Sequence, residues 1–315
     1  MFKFLILLVL LPQFCFADFE KWKISYSKKA SKRGLPQKFV VEELKKLKFD
    51  KDIVEKDRNQ IILDKDTDYQ KFIQRWLRSE PTRIEQGRLL LQKHAKLLNQ
   101  IEKKYQVDKE VIVALWGTET FYGKITGDYD IIHSLATLSY DGRRKDFFET
   151  QLTAALRLIH QGHVKRENLK GSWAGATGQC QFMPSNIPLY AQDFNGDGKK
   201  DIWGTEADIF ASIANYLKKN GWSRGKSIGS LAINTKDKHL TSNRYRSQSE
   251  YNRLGFKSLS GEKISGNWSR RRFAELPMKN SPVVLRGSNY GPLLKWNRSS
   301  LFAAFNIILM DGFKK

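Results

Sequence analysis

The most constraining feature of this 315-residue sequence is a carboxylate within an otherwise uncharged, largely apolar run, VIVALWGTETFYG at residues 111–123. The apolar spacing predicts a buried helix that Gly123 stops. Glu119 follows Leu115 by one turn and precedes Tyr122 by one turn, so it shares their face. Burial of an ionised carboxylate is costly and usually raises its pKa. A carboxyl group that stays protonated near neutral pH can act as a general acid, which makes Glu119 the candidate catalytic residue. The alternative is that Glu119 turns outward to water.

Composition indicates a folded, exported protein. Hydrophobic residues at 40% and aromatic residues at 12% exclude general disorder. Residues 1–17 combine Lys3, an apolar core and a Cys-Phe-Ala ending, which predicts a secretory signal peptide cleaved after Ala17. The apolar stretch is too short to span a bilayer comfortably, so we expect no stable membrane insertion after cleavage. An uncleaved anchor is the alternative. The expected location is the bacterial periplasm or the medium.

Charge and cysteine content restrict the partners. The net charge of +22 predicts a polyanionic partner, and for an exported protein this favours cell-wall polymers or anionic lipid head groups. The lysines are spread along the chain and no nucleic-acid motif occurs, so we expect no nucleic acid. A lysine-rich solvated surface is the alternative. After leader removal Cys180 is the single cysteine, which excludes an intramolecular disulfide, and no zinc-ligand spacing exists.

Sequence periodicity predicts a mainly α fold of the α+β class. Helical patterns cover residues 18–70, 69–105, 145–160, 206–219 and 300–309. The fourth would begin with a Thr205–Asp208 capping box. Short alternating pieces within residues 223–295 predict a few strands. The expected organisation is one catalytic unit over residues 18–315, with a helical core at about 69–222, a β-containing subdomain at about 223–298 and a C-terminal helix packed back on the core.

Two motifs offer polar groups to a ligand. Arg143 and Arg144 follow an Asp-Gly turn and precede two phenylalanines, a pattern suited to carboxylates or sugar hydroxyls. In the Gly-rich stretch 171–185, Ser172, Gln179 and Gln181 offer neutral hydrogen bonds that suit an N-acetylated sugar. The alternatives are a solvated arginine pair and a structural loop.

An acidic stretch predicts a calcium site. Residues 193–201 carry oxygen ligands at positions 1, 3 and 5 and glycine at position 6 of an EF-hand loop. Position 12 is Gly204 instead of glutamate, and Asp208 or Glu206 could replace it. Any Ca²⁺ would be structural and weakly bound. The predicted ligand set is Asp193, Asn195, Asp197, Lys199 and Asp208.

Taken together in chain order, these motifs resemble the lytic murein transglycosylase B family, the lysozyme-like enzymes of glycoside hydrolase family 103. The resemblance covers nearly the whole chain after the leader. The stretches that carry it are Arg83–His94, Ile101–Tyr105, Trp116–Gly123, Leu135–Ser139, Tyr140–Arg144, Gly171–Ala176, Gln181–Ser185, Asp193–Asp201, Ala214–Leu217, Gly221–Trp222, Trp296–Ser299 and Phe302–Ala303.

The resemblance implies roles for individual residues. Glu119 takes the position of the family's sole catalytic acid, and Cys180 and Gly204 depart from the family pattern. No cofactor is expected for the chemistry, and the expected partner of a monomeric enzyme is the peptidoglycan glycan strand. The positions that match the glycan cleft are Ser172, Gln181, Arg143, Arg144, Tyr216 and, as a cleft aromatic, Trp296.

The expected reaction cleaves the bond between N-acetylmuramic acid (MurNAc) and N-acetylglucosamine (GlcNAc) and leaves a 1,6-anhydro-MurNAc end. No second carboxylate recurs beside the Glu119 motif, as a two-carboxylate glycosidase would require, apart from Asp128 and Asp130 in a nearby turn. The alternatives are a hydrolytic muramidase, a non-catalytic basic wall-binding protein and, ranked last, a secreted nucleic-acid binder.

Overall fold

A computed structural model describes residues 13–59, 66–78, 81–235 and 244–314. Residues 1–12 of the predicted leader lie outside the described residues. None of the described helices is both long enough and apolar enough to cross a membrane.

The described residues are mostly helical, as the sequence predicted. The helices are α1 (Gln13–Lys32), α2 (Gln37–Lys45), α3 (Lys51–Arg58), α4 (Tyr69–Leu77), α5 (Arg83–Lys93), α6 (Ala95–Tyr105), α7 (Lys109–Thr120), α8 (Ile131–Asp141), α9 (Lys145–His160), α10 (Ile187–Tyr190), α11 (Glu206–Lys219), α12 (Gln248–Arg253), α13 (Tyr290–Leu294) and α14 (Ser300–Phe313). Short 3₁₀ turns lie at Arg166–Asn168 and Pro184–Asn186.

In the described part of the chain the strands are short and form three small antiparallel sheets. β5, β3, β8 and β7 form one sheet in that order, while β1 pairs with β2 and β4 with β6. The strands are β1 (Tyr129–Asp130), β2 (Lys170–Gly171), β3 (Gly229–Asn234), β4 (Arg246–Ser247), β5 (Phe256–Ser258), β6 (Arg270–Arg271), β7 (Phe273–Ala274) and β8 (Val283–Arg286).

The chain divides into two compact units, each built from two segments. The first contains residues 1–60 and 126–189, and the second contains residues 61–125 and 190–315. The subdomains expected from the sequence are continuous stretches of chain, whereas each compact unit combines two separate segments. The single catalytic unit over residues 18–315 and its inner boundaries stay predictions.

The first unit is helical and has an aromatic core. Phe19 and Tyr26 of α1 are fully buried, and the Tyr26 hydroxyl bonds the Thr153 hydroxyl of α9 at 2.8 Å. α8 packs along α9, and α2 packs on α1.

In the second unit, α7 is the central helix. Residues 111–117 are all buried, and α7 packs against α5, α6, α11 and α14. The apolar C-terminal helix therefore covers the catalytic-helix candidate, as the sequence predicted. The sheet lies in the same unit, and its core joins Tyr251 and Phe256 to Phe273 and Leu285.

Two details of the sequence prediction are wrong. α7 ends at Thr120, before Gly123, because Phe121 and Tyr122 adopt left-handed backbone conformations with φ of 50° and 60°. α11 begins at Glu206, but Thr205 and Asp208 form no capping box. The Thr205 hydroxyl donates to Asp201 instead, and Asp208 accepts from loop backbone groups.

Candidate active site

The end of α7 is shaped by the ring of Tyr122. This ring folds back over Gly117, where a side chain would collide with it, and the Tyr122 hydroxyl donates to the Arg83 carbonyl at 2.5 Å. Glycine within a helix normally costs stability, but here it makes room for the ring. The last turn of α7, which carries Glu119, is thereby held by side-chain packing.

Arg83 is a buried cation beside this turn, and sequence reasoning assigned it no role. Its Nε donates to the Trp76 carbonyl at 2.7 Å, and its Nη1 donates to the Gly117 carbonyl. The guanidinium also lies over the ring of Phe121, 4.6 Å from the centroid. Burial lowers the pKa of Arg83 to about 10, so the group stays charged at neutral pH. The available signal was its place at the start of α5, directly after the Thr82 cap.

Glu119 lies in the last turn of α7 and keeps part of its surface exposed. Trp296 Nε1 donates to Glu119 Oε1 at 2.7 Å. Desolvation by the surrounding protein raises the pKa of Glu119 to about 7, and the Trp296 hydrogen bond opposes this rise. Glu119 is therefore both reachable and substantially protonated near neutral pH, which are the two requirements of a general acid.

An aromatic row extends from Glu119 within the second unit. The ring centroids of Trp296 and Tyr216 lie 4.6 Å apart, and those of Tyr216 and Tyr190 lie 4.5 Å apart. The Tyr216 hydroxyl donates to the Lys295 carbonyl at 2.6 Å, which fixes its ring. The structure therefore brings three predicted residues together, namely Glu119, Tyr216 and Trp296. Tyr190 is an addition that sequence reasoning missed, because it stands alone in an otherwise apolar segment.

Ser172 and Gln181 belong to one tight loop of the first unit. Ser172 Oγ accepts from the Ala176 amide at 3.0 Å. Gln181 has a left-handed backbone (φ 48°), and its Nε2 donates to the carbonyls of Thr126 and Gly178 at 3.0 Å each. Both residues thus support the loop as well as offering polar atoms, so the structural alternative accounts for part of their hydrogen bonding.

Arg143 and Arg144 share one buried carboxylate of the first unit. Arg143 Nε donates to Asp57 Oδ2 at 2.7 Å, and Arg144 Nη2 donates to Oδ1 at 2.6 Å. The Asp57 side chain is 1% exposed, whereas those of the arginines are 46% and 41% exposed. The buried Asp57 carboxylate therefore holds both guanidinium groups, which remain partly exposed to solvent. Sequence reasoning missed Asp57, which sits among lysines and arginines in α3 without a distinguishing motif.

The acidic loop of the second unit brings three predicted ligands together. One oxygen from each of Asp193, Asp197 and Asp208 lies within 4.8 Å of the others. Asp193 accepts from the backbone amides of residues 196, 197 and 198, which curls the loop around its carboxylate. Asn195 Nδ2 donates to Asp197 Oδ2 at 3.1 Å.

The structure distinguishes the two candidates for the missing twelfth ligand. Asp208 is fully buried and accepts from the backbone amides of Phe194 and Asp201 at 2.7 and 2.9 Å. Glu206 is exposed and lies 3.8 Å from His94 instead. Burial raises the pKa of Asp208, and the nearby Asp193 charge adds to this. A cation between these carboxylates would relieve that repulsion, so the donor set fits Ca²⁺.

Comparisons with known proteins identify the family of the chain. Residues 18–310 match the family described as the transglycosylase SLT domain. The chain is 31% identical over 235 residues to the membrane-bound lytic murein transglycosylase B of Escherichia coli (strain K12). That match covers 72% of this chain and 64% of the relative, so the chain spans less than two thirds of the relative's length.

Solved structures show the same fold. SltB3 from Pseudomonas aeruginosa, in complex with NAG-anhNAM-pentapeptide, superposes with a TM-score of 0.81 at 34% identity, covering 94% of this chain and 79% of that one. The Escherichia coli lytic transglycosylase Slt35, in complex with calcium, gives a TM-score of 0.75 at 26% identity, covering 94% and 92%. The resemblance drawn from the sequence motifs is confirmed, and the chain belongs to the transglycosylase SLT domain family.

Proposed function

We propose that this protein is a lytic transglycosylase that cleaves the β-1,4 bond between MurNAc and GlcNAc in peptidoglycan. The observation that carries the proposal is the partly exposed Glu119, whose pKa of about 7 lets it donate a proton near neutral pH. The relatives support the substrate class, since SltB3 was solved with NAG-NAM-pentapeptide as well as with NAG-anhNAM-pentapeptide.

A single carboxyl group can serve both steps of this reaction. Protonated Glu119 donates its proton to the glycosidic oxygen, and the bond from that oxygen to MurNAc C1 breaks. The carbonyl oxygen of the N-acetyl group stabilises the cationic C1. Glu119, now a carboxylate, takes the proton of the C6 hydroxyl as its oxygen attacks C1. The products are a GlcNAc hydroxyl and a 1,6-anhydro-MurNAc end, and Glu119 regains its proton without consuming water.

The surroundings of Glu119 favour this route over a two-carboxylate mechanism. Within the described part of its unit, desolvation and the Trp296 hydrogen bond are the influences on its pKa, and no carboxylate contributes. A retaining glycosidase would need a second carboxyl group about 5 Å away. The partly exposed ring of Trp296 and the adjacent Tyr216 supply an aromatic wall for a sugar ring.

Binding roles for the first unit are part of the proposal. Ser172, Gln181, Arg143 and Arg144 would hold the glycan and its lactyl or peptide carboxylates. Ca²⁺ in the loop at residues 193–201 would be structural, because its donors Asp193, Asp197 and Asp208 join the loop to α11 and Glu119 is not among them. Export to the cell envelope fits the leader pattern and the charge of +22.

Digestion of purified sacculi tests the proposal. Mass spectrometry of the soluble fragments should find MurNAc ends one water lighter than reducing ends. Reducing ends alone would identify a hydrolytic muramidase, and the absence of soluble fragments would indicate a non-catalytic wall-binding protein.

A further inference from the structure

A second candidate site lies in the β element of the second unit, apart from Glu119. It is a groove of about 980 Å³, at the upper end of the range for ligand sites. Among the residues that the structure describes, its lining includes five cationic side chains and no carboxylate. These cations are Lys226, Arg270, Arg271, Arg272 and Arg286.

Three of the arginines are held in place by aromatic rings. Arg271 lies over Trp268 at 4.7 Å from the ring centroid, Arg272 over Tyr245 at 4.6 Å, and Arg286 over Tyr290 at 5.1 Å. Stacking fixes the plane of a guanidinium while leaving its edge free to donate paired hydrogen bonds. Arg271 Nη2 also donates to Ser227 Oγ at 3.1 Å, which orients this guanidinium further. The groove therefore presents oriented guanidinium groups, which suit planar carboxylates.

The positive charge of the groove is poorly compensated. Glu250, which is not part of the lining, lies 3.9 Å from Arg270 and already caps α12 through Ser247. Arg286 Nε is buried and has no hydrogen-bond partner among the residues the structure describes. An unpaired buried donor on a charged group is costly, so an anion in the groove would supply what this nitrogen lacks.

The groove is close in sequence to the catalytic acid's partner. Tyr290, Gly291 and Leu294 line it from α13, and Trp296 follows two residues later and donates to Glu119. Two residues of chain span at most about 7 Å, so one end of the groove lies near the aromatic row. A single large ligand could reach both places.

We propose that this groove binds the carboxylate groups of peptidoglycan stem peptides, at a site separate from the glycan-cleaving acid. The inference rests on the proposed function, because peptidoglycan is the anionic polymer that a transglycosylase meets. Nucleic acid fits less well, since single strands bind by stacking bases on aromatic faces, and arginines cover one face of all three rings here.

Binding to sacculi in a Glu119→Gln background tests the groove without consuming the ligand. The test variant adds Arg270→Gln at an exposed position of the groove and Arg272→Gln at a half-buried one. The matched control adds Lys93→Gln and Lys96→Gln, two exposed cations outside it, so the net charge changes equally. Each protein is titrated against intact sacculi, sacculi freed of stem peptides by an amidase, and single-stranded DNA.

The groove variant should lose about tenfold or more in affinity for intact sacculi and keep its affinity for peptide-free glycan. Arg272→Lys, which keeps the charge but not the fork, should lose an intermediate amount. Equal losses in groove and control variants, or an equal loss on peptide-free glycan, would overturn the proposal. Groove-dependent binding of DNA that exceeds binding of sacculi would assign the groove to nucleic acid instead. None of these results depends on the reaction products, so a failure here is distinguishable from a failure of the proposed function.

Discussion

Two regions of the second unit shift the pKa of a carboxyl group in opposite directions. At the end of α7, Glu119 accepts a hydrogen bond from Trp296, and burial raises its pKa to about 7. In the loop at residues 193–201, Asp197 accepts from Asn195 and the Lys199 amide, and these bonds lower its pKa. The comparison shows that burial raises the pKa of Glu119 far more than its hydrogen bond lowers it, whereas an exposed carboxylate with donors around it, such as Asp197, keeps its charge.

The largest effect should follow from removing the protonated carboxyl group. Glu119→Gln should lower fragment release from sacculi by about 10²–10⁴-fold, the usual contribution of general acid–base catalysis, or by more because one group serves both steps. Release of soluble muropeptides measures the loss. Glu110→Gln, at the other end of α7, is the matched control and should retain activity. Substantial release by Glu119→Gln would remove Glu119 from the mechanism.

The opposite pKa shifts should give opposite pH dependences of stability. Folded Glu119 holds its proton up to about pH 7 while the unfolded chain releases it near 4.5, so the folded protein loses stability as pH rises through that window. Glu119→Gln should therefore gain stability relative to the parent between pH 4.5 and 7, with an upper limit of roughly 3 kcal/mol.

Asp197→Asn should change the pH dependence of stability in the direction opposite to Glu119→Gln. The lowered pKa of Asp197 contributes stability at neutral pH that disappears in acid. Denaturant unfolding at several pH values checks both variants. Parallel curves for the two would contradict the assignment of a protonated Glu119 and a charged Asp197.

Calcium should stabilise the protein through the acidic loop. At a free concentration of one hundred times Kd, the gain in unfolding free energy is about 2.7 kcal/mol. Asp208→Asn should abolish the gain, because this buried carboxylate faces Asp193 and Asp197, whereas Glu206→Gln should keep it. Thermal unfolding and calorimetric titration with Ca²⁺ measure the effect, and no heat together with no stabilisation would exclude the site.

A substitution at Trp296 should shift the pKa of Glu119 while leaving its carboxyl group in place. Trp296→Phe keeps an aromatic ring but loses the donor that lowers the pKa of Glu119. The alkaline limb of the pH–rate profile, expected near pH 7 in the parent, should move to higher pH. An unchanged limb would show that the hydrogen bond to Glu119 does not form in solution.

The smallest effects on turnover should come from substitutions in the first unit. Ser172→Ala and Gln181→Ala each remove hydrogen bonds worth about 0.5–1.5 kcal/mol net, so each should reduce turnover by about two- to tenfold. Both side chains also brace their loop, so thermal stability is recorded alongside the steady-state kinetics. A loss of stability that accounts for the whole loss of activity would favour the structural reading.

Local sequence patterns predicted much of this fold. The helices at 145–160 and 206–219 and the short strands within 223–295 are confirmed, because their periodicity is clear in the sequence. The stop at Gly123 was wrong because a contact distant in sequence decided it, since Tyr122 turns back onto Gly117 and Arg83. The capping box failed for a similar reason, because the folded acidic loop competes for Asp208.

The sequence predicted individual residues of the candidate site but not the residues that hold them in position. Glu119 stood out because a carboxylate in an apolar run is rare. Asp57, Arg83 and Tyr190 gave no such signal, since their roles depend on partners far away in the chain. Sequence patterns therefore identified the candidate groups for chemistry and missed the residues that hold them in place.

The position of Glu119 in the last turn of α7 also places it in the field of the helix backbone. The C-terminal end of a helix carries about half a negative elementary charge, which opposes ionisation of a nearby carboxyl group. Arg83, which donates to the Gly117 carbonyl, offsets part of that charge. The acidity of this candidate catalytic group therefore depends partly on peptide dipoles that no side-chain substitution removes, and the buried cation Arg83 opposes their effect.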